Sequence, residues 1–470
     1  MPFRPTVLRV FCITAAIALA APLLAQTDGV MTRQYDDGGI YEGEFRDGLQ
    51  HGQGTFRTPD GFEYTGAWVD GEISGAGIAR YPSGAVYEGD FQGGRPHGQG
   101  MMTFADGSTY EGSWAEGAIS GEGRRVFANQ SVYEGSFLDG QPHGQGVLTR
   151  PDGYRYEGGW AAGLREGSGR ILYPDGAEYE GEMLADMRHG TGRLTNPDGL
   201  EYEGAWQEGE LHGEGVLRQP GGDVYSGQFR AGLREGAGRV EQADGLVFEG
   251  SFVNDLREGA GRLTGPDGYV YEGTWVAGQI DGEGRLEQPD GSVYEGAFRA
   301  GLPDGMGTIT YADGASYEGA WSEGQFHGQG RAIFADGAEY EGGFVRGLSE
   351  GEGVMRFADG RVYTGIFTGG ELHGEGEMRY PDGSVYTGQF SEGIRQGSGR
   401  IELADGFVYE GDWEGGEMTG QGIATYATGD VYEGAFVAGQ RHGRGVLRYA
   451  TGEVLSGEWE DGRITERDSD

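Results

Sequence analysis

Histidine is the side chain best suited to proton transfer near neutral pH and a common ligand for transition metals. This chain has eight: His51, His97, His143, His189, His212, His327, His373 and His442. Each stands immediately before a glycine at one position of a 23-residue period, where other periods place Ser74, Glu166, Asp281, Gln396 or Thr419. A catalytic imidazole needs a neighbourhood of its own, whereas a position shared among polar types serves the local backbone. We read it as turn-stabilising; a metal strip along the loops is the alternative, disfavoured by the irregular histidine spacing. Carboxylates are spread too evenly to single out an acid–base pair. The recurrent Gly-x-Gly lies in strand context instead of before a helix, so it is no dinucleotide cradle. Cys12 is the single cysteine and falls in the leader described below, leaving no thiol chemistry beyond it. The expectation is therefore no catalytic residue, no cofactor and no metal site.

The 99 glycines among 470 residues point to a repeat array, a fibre or disorder, and regularly spaced aromatics argue against disorder. Residues 1–25 read as an export signal: Arg4 and Arg9 precede an apolar run that ends in Leu23-Leu24-Ala25. The expected location is periplasmic or secreted. A formal charge of −41, with every basic residue an arginine, disfavours nucleic acid and anionic membranes as partners.

The elements behind these positions form 18 units of 23 residues without insertion, led by Tyr41, Tyr64, Tyr87 and so on to Tyr432, with Phe248 leading one. Counting the lead as offset 0, glycine fills offsets 2, 11 and 13 in all 18 units, and an aromatic fills offset 4 except at Met183. Offsets 0, 2 and 4 alternate with polar 1 and 3, the period of a strand with one apolar face. A second strand is expected near offsets 12 to 17, and motifs such as Pro59-Asp60-Gly61 turn the chain into the next unit. Matching side chains by size suggests a register in which paired offsets sum to 17: Tyr156 with Tyr173, Gly158 with Ile171, Trp160 with Gly169. Offset 1, glutamate in 14 of 18 units, would then oppose offset 16, as in Glu88 with Thr103 and Glu203 with Arg218. All eight tryptophans occupy offset 4, never in consecutive units, as expected if large rings lean over smaller ones. Residues 26–40 read as an N-terminal capping half-repeat, 41–454 as the eighteen repeats, and 455–470 as a capping strand and acidic tail, disordered from Thr465.

The run Tyr41-Glu42-Gly43-Glu44-Phe45-Arg46-Asp47-Gly48-Leu49-Gln50-His51-Gly52-Gln53-Gly54 closely resembles the MORN repeat (membrane occupation and recognition nexus), and the resemblance extends over residues 41 to 459. Junctophilins, plant phosphatidylinositol phosphate kinases and a SET-type lysine methyltransferase carry similar repeats beside other domains. The resemblance implies an all-β fold, an elongated single-layer antiparallel sheet of tandem hairpins, often dimeric.

One position breaks the symmetry. Offset 17 is aromatic at Tyr81, Phe104, Phe127 and Tyr173, polar or glycine from Asn196 to Gln288, and aromatic again at Tyr311, Phe334, Phe357, Tyr380, Tyr426 and Tyr449. These last six are the candidate interaction surface, through which the C-terminal repeats would pair as a homodimer. The function expected is a non-catalytic scaffold in the cell envelope, binding an envelope protein or itself along an uncovered apolar stripe. The alternative is a glycan or lipid bound along the aromatic groove.

Overall fold

The computed structural model describes residues 29–468, so the export signal expected in residues 1–25, Cys12 included, lies outside the described residues. The chain divides into two compact parts, one through Leu233 and one from Arg234. Both consist of β-strands joined by short turns, and no helix occurs among the described residues. In each part a strand pairs antiparallel with the strand before it and the strand after it, so hairpins follow one another in a single layer.

Every repeat uses the same local chemistry. Ile40–Arg46 is a first strand, offsets −1 to 5, and Leu49–Arg57 a second, offsets 8 to 16. Between them Asp47 and Gly48 both have positive φ, 55° and 80°, which makes a two-residue turn whose twist matches the strands it joins. The second strand ends in the Pro-Asp-Gly type of motif: Gly61 N donates to Thr58 O at 3.1 Å, and Gly61 takes a φ of 95°. Where the aspartate recurs it accepts a bond from the backbone two residues on, as in Ser108 N to Asp106 Oδ1 at 2.9 Å.

The register differs from the size-matched one. Tyr156 opposes Ile171, Gly158 opposes Gly169, and Trp160 opposes Arg165, so paired offsets sum to 15 near the lead and to 13 near the turn. A two-residue turn at offsets 6 and 7 by itself sets a sum of 13. A bulge, in which residues 166–168 face Gly159 alone, adds two more. Gly167 in that bulge has a φ of 76°, which accounts for the glycine at offset 11. Because the shift is an even number of residues, each side chain keeps its face and changes its partner. Glu203 thus opposes Val216 in its own hairpin and Arg193 of the repeat before, not Arg218, and Glu88 opposes Met101, not Thr103.

At the start, Val30–Gln34 pairs with Ile40–Arg46, placing Arg33 opposite Tyr41. At the end, Arg463–Arg467 pairs with Val454–Glu460, and Asp468 N donates to Ser456 O at 2.9 Å. Thr465 therefore lies in a strand, contrary to the expected disorder. The two-residue turn at Asp461 and Gly462 folds the chain back onto the edge left open by Val454–Glu460.

Candidate functional site

The face that carries offsets 0 and 4 is a file of aromatic rings. The Tyr41 ring lies over Gly43 and Gly54, which stand opposite each other, and a Cβ on Gly54 would collide with it. Above this floor Tyr41 meets Phe45 edge to face at 5.1 Å and Trp68 of the next repeat at 5.1 Å. The pattern continues through Tyr64, Phe91, Tyr87 and Trp114, so lead rings interleave with offset-4 rings. The alternation of tryptophan with phenylalanine therefore acts through the intervening tyrosine, not by one leaning over the other. Each ring pair of this geometry adds about 0.5–1.5 kcal/mol beyond area burial.

Polar tips are satisfied inside the file. All 17 lead tyrosines donate from Oη to the carbonyl at offset 3 of their own repeat, at 2.7 to 3.2 Å. That carbonyl stands at the bulge, and the recurrence of this bond accounts for tyrosine at offset 0. Tryptophan Nε1 reaches the carbonyl at offset 13 of the preceding repeat, as in Trp160 to Gly146 O at 3.2 Å. Behind Phe248, which has no hydroxyl, Trp275 Nε1 is buried and finds no partner. Burial pushes the hydroxyls of Tyr41, Tyr64 and Tyr110 up to about 12.

The ring file consequently covers itself. The lead rings are almost fully buried and the offset-4 rings nearly so. This corrects the expectation of an uncovered aromatic stripe: edge-to-face packing on a glycine floor encloses rings that a flat sheet would leave open. Where offset 9 is arginine, the guanidinium lies across the file. Arg188 sits 4.1 Å over Trp206 and donates to Gly209 O at 2.9 Å, and Arg395 does likewise with Trp413 and Gly416 O.

In several repeats the polar residue at offset 10 caps the hairpin turn of the next repeat. His51 Nδ1 accepts from Asp70 N at 3.4 Å, and Glu258, Asp281, Glu350 and Gln396 accept from the equivalent backbone N–H in the turns that follow them. The acceptor is what the position requires, so imidazole, carboxylate and amide interchange there.

Two kinds of apolar group stay exposed. Offset 17 lies beyond the second strand, in the turn between repeats, and not opposite the lead ring as the size-matched register had it. Of the six candidate residues, Tyr311 and Phe334 are 37% and 42% exposed. Phe357, Tyr380, Tyr426 and Tyr449 are half-buried. Tyr426 packs on Phe407 of the preceding repeat, and Phe357 lies under Arg361. The six thus occupy equivalent turns instead of a common hydrophobic core. The second kind does not stand out in the residue pattern: aliphatic residues at offsets 5 and 8 flank the hairpin turns, among them Val253, Leu256, Leu302, Val345, Leu348 and Ile394. The opposite face of the sheet is charged, with pairs such as Arg124–Glu134 and Arg262–Glu272, both at 2.8 Å.

These features define a tandem β-hairpin repeat array with a self-covered aromatic core and repeated apolar edges. The MORN repeat model matches 18 consecutive segments, from residues 41–62 through 225–247 to 432–454, each beginning at a lead position. The chain belongs to the MORN-repeat family. No curated protein matches it. Among solved structures it is similar to the TCP domain of Drosophila melanogaster SAS-4 in complex with a proline-rich motif of Ana2, at 12% identity over 45% of this chain and 99% of that one, with a TM-score of 0.21. The TCP10 domain of Danio rerio CPAP, in complex with a STIL peptide, is 13% identical over 70% and 99%, with a TM-score of 0.13. A streptogramin B lyase is 11% identical over 63% and 92%, with a TM-score of 0.12. Likenesses this slight carry no functional inference.

Proposed function

We propose that this repeat scaffold is non-catalytic and works by binding protein, an envelope polypeptide or a second copy of itself, in the periplasm or outside the cell. The observation that carries the reading is the repetition of exposed apolar side chains along the turn edges, with Leu302 and Leu348 50% and 53% exposed on an otherwise strongly charged chain. Repeated identical contacts suit a partner that lies along many repeats. His51 caps a turn and all eight histidines share one repeat position, which leaves acid–base catalysis without a distinctive residue. A glycan stacked on the aromatic groove would need open ring faces, and the buried rings of the file do not offer them. The export signal read in residues 1–25 supports the envelope location.

The test uses the full chain. Light scattering and crosslinking should reveal either self-association or a co-purifying envelope protein, weakened by Tyr311→Ser with Phe334→Ser if the candidate turns take part. A strict monomer at all concentrations, with no envelope protein captured, would sink the proposal.

A further inference from the structure

Offset 15 lies on the ring face opposite the lead tyrosines and is apolar in every repeat but one: Phe56, Ala79, Met102, Leu148 and Ile171 are typical, and Arg125 is the departure. Arg125 faces Tyr110 of its own repeat and Tyr133 of the next, in a row built for aliphatic groups. Its guanidinium carbon lies 5.3 Å from the Phe104 ring and 5.0 Å from the Phe127 ring, so two offset-17 rings flank the cation. Elsewhere the ring from the preceding repeat's offset 21 packs on the offset-17 ring, as Phe62 does on Tyr81 and Tyr154 on Tyr173. Here that position is the small, buried Ser108, and the space falls to Arg125.

Arg125 differs from Arg165, Arg188, Arg395 and Arg441 in what it donates to. Those four reach a backbone carbonyl of the following turn. Arg125 Nε is buried without an acceptor, and the side chain forms no hydrogen bond or ion pair among the described residues. Asp106, the carboxylate whose field reaches Arg125, is held by Ser108 N and Oγ at 2.9 and 2.6 Å. Burial lowers the affinity of Arg125 for its proton, and the field of Asp106 offsets this only in part. A planar guanidinium between aromatic faces is the composition of a binding hot spot, and it pairs best with a group that accepts in its own plane.

The geometry points to Phe104, Arg125 and Phe127 as a docking notch for an aspartate or glutamate side chain of a partner polypeptide. This rests on the protein-binding reading above. A flat carboxylate can pair with the guanidinium in its own plane, and inorganic phosphate serves as the control in the test.

The test follows the Nε–Hε resonance of Arg125 in the full chain by NMR, assigned by its loss in Arg125→Leu. A blocked tetraglutamate peptide should shift it saturably and a tetraglutamine peptide should not, and Arg125→Lys should weaken tetraglutamate binding at least tenfold. Arg125→Leu restores the aliphatic type of the row, so its Tm should equal or exceed that of the parent. A resonance unmoved by tetraglutamate overturns the notch, as does one that inorganic phosphate moves equally. A Tm several degrees lower in Arg125→Leu assigns the residue to packing and has the same consequence. Equal capture of an envelope partner by parent and Arg125→Leu removes this site while the scaffold reading stands.

Discussion

Removing the Tyr202 hydroxyl separates the two things a lead tyrosine does. Its Oη donates to Ala205 O at 2.8 Å, and its ring meets Trp206 at 5.1 Å and Phe229 at 5.4 Å, edge to face. Tyr202→Phe keeps the ring and strips one donor from the Ala205 carbonyl. The loss should be about 1 kcal/mol, the net worth of one such bond. Tyr202→Ala also deletes two ring contacts and opens a cavity over Gly204 and Gly215, for a total of about 3–5 kcal/mol. The chain contains the reverse experiment: Phe248→Tyr should donate to Ser251 O and stabilise the second part by about 1 kcal/mol. Urea unfolding followed by tryptophan fluorescence measures all three. In a repeat array each repeat touches its neighbours, so the alanine variant should also broaden the transition as its two sides uncouple. A Tyr202→Ala loss no larger than that of Tyr202→Phe, or a destabilised Phe248→Tyr, would refute the ring file as the source of stability.

Alkali should unfold the array in a defined window. The hydroxyls of Tyr41, Tyr64 and Tyr110 rise from 10 to about 12 through burial, so the neutral form is favoured in the fold; the stability it contributes is intact below pH 10 and is lost between about 10 and 12. The main rise in absorbance at 295 nm should therefore accompany the loss of far-UV circular dichroism, and ionisation in an intact fold of more tyrosines than those outside the lead positions would contradict this. Gly52→Ala places a side chain at a φ of 66° and should cost about 1–2 kcal/mol in the same urea assay. Arg262→Ala breaks an exposed 2.8 Å pair with Glu272 and should change stability by under about 1 kcal/mol, with the difference gone in molar salt.

The 23-residue period, the two strands per repeat, the glycines at offsets 2, 11 and 13 and the shared histidine position were legible in residue order, because strand alternation and turn chemistry act over a few residues. Family membership followed from the same pattern. The register was not legible. It depends on a bulge at Gly167 and its equivalents, and a bulge changes which residues face each other without altering the alternation that a sequence displays. That feature decides which residues face each other, while edge-to-face contacts on the glycine floor enclose rings that a single-layer sheet was expected to expose. Arg125 is visible in the sequence as a departure at offset 15, but its want of a partner emerges only where Phe104, Phe127 and Ser108 converge. Local order specifies what each residue can do, and only the packed neighbours decide whether its demands are already met.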